Sequence, residues 1–326
     1  MDIRRGEVIR PDLDEVAEGP GPYTMSYGFN LEILCSSIRE VGLISPPLVA
    51  RNETGCFDIV SGYRRVLALR SLGESKVLCR EVNSLLPTPL ERLLANFYEN
   101  LATRRFNDIE KAMILQRLQR HLSTEEILAS FLPPLSLPCH EDTLTLYSKL
   151  ANLDERFQGA IASQDISMRT VKALFECDDL SRRVLFENIS IFNFNFNQQI
   201  KFIDYVQDLS IRDGISIAEV LCEESFVKIL NNQRWNKPQK AKTALEVLRT
   251  RRYPRLARAQ RAIQSRISAV SLPPGAAIHY DPCLEAPNYR LEICFKDGKD
   301  LRKSINRLHS LDELESIPDP WQTNES

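Results

Sequence analysis

Histidine, tryptophan and methionine are scarce in this 326-residue chain, at four, two and four residues. The eight cysteines, at 35, 56, 79, 139, 177, 222, 283 and 294, are scattered, and no Cys-x-x-Cys pair occurs. So few histidines and such dispersed thiols argue against a metal centre or a disulfide framework and fit a reducing cytoplasm. No apolar run approaches the ~20 residues of a membrane span. The start, Met1-Asp-Ile-Arg-Arg-Gly-Glu7, has no apolar core behind its charges, so neither a membrane partner nor a signal peptide is expected. Neither sign of charge dominates, with 42 Lys/Arg against 44 Asp/Glu. Internal repeats are lacking too.

What is there is ordinary in bulk and uneven in detail. A content of 43% hydrophobic and 26% charged residues suits a soluble protein, and the length suits two or three domains. From Arg234 to Arg266 stand eleven Lys/Arg against one acid, Glu246. Such a local excess would release counterions from a phosphate backbone without reading sequence. Arg251, Arg255 and Arg258 lie about one turn apart, and no acidic helix of matching size is expected to neutralise them internally. The alternative is that part of the run lies over apolar surface or faces acids elsewhere.

The chain is organised around Ser61-Gly-Tyr-Arg-Arg-Val-Leu-Ala68. It follows an apolar run, Phe57–Val60, and opens a helical pattern, so it reads as strand, glycine turn and helix start. Helix starts carry unpaired N–H groups and partial positive charge. Gly62 lets backbone approach a ligand, while Arg64 and Arg65 add forked donors. Together they describe an anion site, most simply for phosphate. The plainer alternative is a turn beside two solvated arginines. The anion reading requires both guanidinium groups to face a cavity, unblocked by the protein's own carboxylates.

In order, residues 1–30 read as an extended or mobile lead-in with one strand near Glu7–Ile9. A helix over 31–41, a proline loop into a strand, a turn at Asn52–Gly55, the Phe57–Val60 strand, the Gly62 helix and a strand over 76–82 make a small α/β domain. A helix over 88–100 ends at Glu99-Asn100. Asn107 or Asp108 caps the next helix, and Ser123-Thr-Glu-Glu126 starts another as a capping box. Short helices over 142–151, 155–162 and 167–175 are the usual setting of a helix-turn-helix. Residues 180–230 are helical by pattern, and the basic run forms two helices split at Tyr253-Pro254. Two strands, over 277–280 and 289–295, then flank an Asp-Pro-Cys-Leu-Glu-Ala-Pro turn, and a helix over 301–311 closes the chain.

Three segments in this order, Gly42-Leu-Ile-Ser-Pro-Pro-Leu-Val49, Gly62-Tyr-Arg-Arg-Val-Leu-Ala68 and Glu99-Asn-Leu…Asn107-Asp-Ile-Glu-Lys-Ala112, resemble ParB-type partition proteins (the ParB/RepB/Noc family). The likeness is good over 31–175, weaker over 180–250, and returns at the end. It implies an α+β multidomain chain: a small α/β nucleotide-binding domain over 1–100, a helical helix-turn-helix domain over 101–232, a basic helical linker over 233–261 and a C-terminal ββα dimerisation module over 262–326. By the same resemblance, CTP and Mg²⁺ are the expected ligands. Gly62, Arg64 and Arg65 would bind phosphate beside Ser61, Ser45 and Pro46 would line the pocket, Asn100 would face the metal, and Glu99 would orient water or metal for slow CTP hydrolysis. The chemistry suits the residue types, since phosphoryl transfer needs positioning and charge neutralisation. The implied partners are double-stranded DNA, a second copy through 262–311 and a ParA-type ATPase. The implied setting is cytoplasmic and nucleoid-associated, in chromosome or plasmid partition.

This sequence departs from the family at several of those positions. Tyr63 stands where glutamate usually follows the glycine, and Ser45 stands for glutamine. Ala102-Thr103 replace Gln-Arg, and Arg104 comes one place late, which on a continuing helix points about 100° away. Hydrolysis is therefore less secure than binding. The plainer alternative is that Glu99 and Asn100 only end and cap helices. The recognition-helix start is Cys139-His-Glu-Asp142, whose acids repel phosphate. Lys149, Arg156, Arg169 and Lys172 would contact the backbone, or simply form a solvated face. Arg251, Arg255 and Arg258 are the further DNA candidates. Two rival readings remain. One is a DNA-binding regulator on this scaffold without nucleotide control. The other is a sulfiredoxin-like ATP-using enzyme or nuclease, for which no reactive cysteine or His–carboxylate cluster is in view.

Overall fold

A computed structural model describes residues 6–286, 288–317 and 319. Met1–Arg5, which carry the N-terminal charge pattern, and Pro287 of the hairpin turn lie outside the described residues. The chain divides into two compact units, Met1–Lys172 and Ala173–Ser326. The first holds β1 (Glu7–Ile9), α1 (Glu32–Val41), β2 (Leu48–Arg51), β3 (Phe57–Ser61), α2 (Tyr63–Ser71), β4 (Cys79–Glu81), α3 (Pro89–Thr103), α4 (Asp108–Leu118), α5 (Thr124–Ser130), α6 (Glu141–Ala151) and α7 (Glu155–Ala162). Helix α8 (Met168–Phe175) spans the division.

The four-stranded sheet runs in the order β1-β4-β2-β3. The central β2–β4 pair is parallel, and both outer pairs are antiparallel. Val49 pairs with Ile59 and Leu48 with Arg80, which fixes the inward face. Val49, Phe57, Ile59, Val66, Leu69, Val77 and Cys79 bury that face between sheet and α2, and Leu13 and Val16 close it. The lead-in is thus anchored rather than mobile: Leu13, Val16, Tyr23 and Met25 are all buried. The short 7–30 segment has too few apolar residues to show a period, yet each of these finds a core slot.

Helices α4 to α7 pack beside this sheet domain. Asn107 caps α4 in a reciprocal box with Glu110, and Ser123 caps α5 with Glu126. Ile109, Ile114, Leu115 and Leu118 of α4 are fully buried, as is Leu150 of α6. The 132–138 segment between α5 and α6 is irregular because prolines stand at 133, 134 and 138.

The second unit holds α9 (Asp179–Phe192), α10 (Phe196–Asp213), α11 (Ile217–Leu221), α12 (Glu224–Asn231), α13 (Lys237–Arg252) and α14 (Pro254–Ala269). These lead to a hairpin, β5 (Ala276–His279) and β6 (Arg290–Ile293), and to α15 (Gly298–His309). Phe192, Phe194, Phe202 and Phe226 form its aromatic core. The split at Tyr253-Pro254 stands where proline removes a helical donor. The helix–strand–strand–helix order of the end is as expected. On it Leu291, Phe295 and Ile305 remain 47%, 51% and 50% exposed.

Candidate functional site

Gly62 sits at φ 94° and caps the start of α2. A Cβ there would lie 2.9 Å from Nε of Arg65, the movable end of a side chain, so it is the left-handed backbone that calls for glycine. The turn sets Arg64 and Arg65 beside a cavity of about 210 Å³. Ser61, Tyr63, Asn96, Glu99, Asn100 and Arg104 also line it, with Thr24, Met25 and Ser26 of the lead-in. Strand β3, two helices and the anchored lead-in thus converge on one point.

The two arginines differ in their restraints. Arg64 donates to Glu110 Oε1 at 2.9 Å and to Ser26 Oγ at 3.3 Å, and its guanidinium stacks over Phe29. Glu110 is a buried carboxylate, 2% exposed, that also accepts from Arg104 at 2.6 Å. Its oxygens further accept from the backbone amides of Tyr27 and Asn107. Burial and the neighbouring Arg104 lower the Arg64 guanidinium from its ordinary value, opposed by Glu110. Arg65 donates instead to the carbonyls of Ser45 and Pro46, at 2.7 and 3.4 Å, and to Glu99 Oε1 at 3.0 Å. Glu99 is 40% exposed. Both guanidinium groups therefore face the cavity, but both are engaged by the protein's own carboxylates, so the expectation of unblocked arginines is not met and an anion would have to compete for them.

Glu99 and Asn100 lie inside α3, which runs on to Thr103, so they neither end nor cap a helix. Asn96, Asn100 and Arg104, spaced four apart, form one connected row. Asn100 Nδ2 donates to Asn96 Oδ1 at 2.6 Å, and Arg104 Nε donates to Asn100 Oδ1 at 2.8 Å. Arg104 is the residue at which the expectation fails. It is the C-cap of α3 with extended backbone (φ −155°), so the helical projection does not apply. Its side chain reaches back into the cavity, also donating to the Met25 carbonyl. The i, i+4, i+8 spacing of Asn96, Asn100 and Arg104 was the available signal; Glu110 stands in the quoted 107–112 segment, but nothing there marks it as a partner of Arg64 and Arg104, and the lead-in residues leave no signal.

Three guanidinium groups (Arg64, Arg65, Arg104) thus meet two carboxylates (Glu99, Glu110), leaving one formal positive charge. Two cavity-lining atoms, Thr24 Oγ1 and Glu99 Oε2, are buried with no hydrogen-bond partner. Among the described residues no group of three His, Cys, Asp or Glu side chains gathers as a metal site. Asn100 Oδ1 is occupied by Arg104, so Glu99 Oε2 is the oxygen best placed to meet a hard cation whose other ligands come from phosphate.

The nucleic-acid candidates scatter. Helix α6 begins with Glu141 and Asp142 and carries exposed Lys149 near its end. It borders an open groove of about 350 Å³ that includes Thr124, Glu141, Ser148 and Lys149. Arg156, Arg169 and Lys172 are exposed on α7 and α8. The basic run does find internal acids: Arg251 pairs with Glu223 at 2.7 Å and Asp213 at 3.3 Å, and Arg252 pairs with Asp208. These acids belong to α10 and the α12 cap, far away in sequence. Arg255, Arg258, Arg261 and Arg266 are exposed along α14, whose Ala259, Ile263 and Ile267 are buried.

A family model described as the ParB N-terminal domain matches residues 16–95. A probable chromosome-partitioning protein ParB of Campylobacter jejuni is 30% identical over 182 residues, 55% of this chain and 62% of that protein. A nucleoid occlusion protein of Bacillus mycoides is 29% identical over 201 residues, 57% of this chain and 66% of its own. The chain spans less than two thirds of the length of these relatives. A C-terminally truncated chromosome-partitioning protein ParB from Caulobacter crescentus, solved with CTP-gamma-S, aligns at 22% identity and TM-score 0.26, over 53% of this chain and 94% of that one. The same protein complexed to the centromeric parS site aligns at 18% identity and TM-score 0.32, over 65% and 95%.

Proposed function

Because the chain belongs to the ParB family, we propose that it is a ParB-like DNA-binding partition protein whose Gly62 pocket takes the polyphosphate of CTP. One observation carries this reading: the α2 mouth, Arg65, Arg104, Glu99 and Asn100 converge on a single cavity with net positive charge. At about 210 Å³ the cavity is below the ~300 Å³ of a typical whole-ligand site. It suits phosphates, with sugar and base lying outside or entering after a side-chain shift. A bound Mg²⁺ would supply charge neutralisation for the phosphates. Arg65 would bind phosphate, the α2 amides would face it, and Glu99 Oε2 would meet the cation or orient water. Hydrolysis itself would be slow, and Glu99 is the candidate catalytic residue. Arg64 is chiefly a positioning residue, being tied to Ser26 and buried Glu110.

Duplex DNA would meet Lys149, Arg169 and Lys172 in the 101–232 segment, and Arg255 and Arg258 in the basic run. Arg251 is committed to internal acids and contributes less. The exposed apolar residues of the 262–311 module would be covered by a second copy, and nucleotide binding would draw two N-terminal domains of that dimer together around DNA. A nucleoid-associated role in chromosome or plasmid partition, with a ParA-type ATPase, follows from the same reading. Calorimetric titration of the full chain with CTP and Mg²⁺, with and without DNA, tests it: heat that disappears in Arg65→Ala supports the pocket.

A second reading has its own support. Both guanidinium groups already hold carboxylates, as they would in a scaffold that has lost nucleotide control. Salt-dependent DNA binding indifferent to CTP, with no heat at high micromolar CTP, would favour it.

A further inference from the structure

The two ion pairs at the cavity are not equivalent, and the difference assigns a function to one of them. Glu110 is 2% exposed, serves two arginines, and accepts from two backbone amides. Removing it from these partners would strand buried charge, so it stays in place. Glu99 is 40% exposed, holds Arg65 through Oε1 alone, and keeps Oε2 buried without a partner. Its replacement on Arg65 by another anion strands nothing, because the leaving carboxylate can reach water. Arg65 meanwhile remains anchored by the Ser45 carbonyl at 2.7 Å, so its guanidinium keeps its position.

We propose that Glu99 is an internal competitor that occupies the phosphate position on Arg65 and must be displaced when a polyphosphate binds. The inference rests on the phosphate reading of the pocket and adds to it the resting state of the site and what sets its affinity. A phosphate oxygen and the Glu99 carboxylate accept from the same donor, so they exclude one another. The carboxylate lowers polyphosphate affinity by the strength of one partly exposed ion pair. It also lowers non-selective uptake of weak anions such as chloride or acetate, which cannot outcompete a tethered carboxylate.

The test uses the full chain and inorganic tripolyphosphate, which isolates phosphate recognition from base and sugar. Glu99→Gln keeps size and a hydrogen-bond acceptor but removes charge. Glu99→Asp keeps charge and shortens the arm, so the 3.0 Å contact with Arg65 is lost. Both variants should bind tripolyphosphate tighter than wild type, by about twofold to fivefold, the strength of one partly exposed pair. Tightening in Glu99→Gln alone would mean general repulsion in place of competition, and would overturn the proposal while leaving the pocket intact. Unchanged or weaker binding in both variants would overturn it in the same way. If wild type and both variants fail to bind tripolyphosphate, while circular dichroism shows them folded, the phosphate reading falls and this proposal with it.

Discussion

Replacing Glu110 should damage the first unit out of proportion to the size of the change. Its carboxylate is 2% exposed and accepts from Arg64 at 2.9 Å, Arg104 at 2.6 Å, Tyr27 N at 3.2 Å and Asn107 N at 3.1 Å. Glu110→Gln preserves the capping box, which accepts glutamine as well as glutamate. It removes the charge, sets an amide donor where Oε1 accepted from Arg64 and the Tyr27 amide, and leaves two guanidinium groups without an anion. Stripping one partner from a fully buried pair costs about 3–5 kcal/mol. Here the arginines are 32% and 20% exposed, and water can reach them. Half of that cost, about 2 kcal/mol, is the expected loss, or roughly 4–8 °C in melting temperature for a unit of this size. Glu110→Ala also removes the reciprocal cap and should lose about 1 kcal/mol more. Thermal scans of the full chain give the shift, and hydrogen exchange of α4 amides localises it to the first unit. A Glu110→Gln protein melting within about 1 °C of wild type, with unchanged α4 protection, would refute the reasoning.

Arg64 and Arg65 should separate in the same spirit. Arg65→Ala is expected to abolish CTP binding in calorimetry at a stability loss of at most about 1 kcal/mol, because the Glu99 side chain is 40% exposed. Arg64→Ala should melt earlier, having lost Ser26, Glu110 and the Phe29 stack. Cys79 gives a pH prediction. Burial pushes its thiol from 9.0 up to about 12. The unfolded chain loses that proton first, so between about pH 9 and 12 the native state binds more protons and stability falls as pH rises. The loss is on the order of 3 kcal/mol by pH 12. Urea titrations across this range should show a shallower fall in Cys79→Val, and parallel curves would contradict the assignment. For DNA, Arg255→Ala combined with Arg258→Ala should reduce the slope of log affinity against log salt by about one per lost phosphate contact. Arg251→Ala should instead lower the melting temperature, having broken the pairs to Asp213 and Glu223.

Most local elements belong to the sequence, though the end of α3 does not, since that helix runs past Asn100 to Thr103. Gly62 between an apolar run and a helical pattern sufficed for the strand–turn–helix, since glycine readily takes that left-handed backbone. Asn107 or Asp108, and Ser123 with Glu126, announced helix starts because capping is settled within four residues. Pro254 announced the split in the basic run because proline lacks the donor. The tertiary structure decided which charges are spent. Nothing near Arg251 in sequence foretells Asp213 and Glu223, and nothing near Arg64 foretells Glu110, because an ion pair depends on distance in space and on burial. Arg104 makes the same point for direction: its angle about the helix was calculable, but the helix ends just before it and the backbone turns. The lead-in was misjudged for a related reason, since a segment without periodicity acquires order only from the core that receives it. Spacing thus supplied Arg64 and Arg65, the family resemblance supplied Glu99, and folding supplied Glu110 and the return of Arg104 to the cavity.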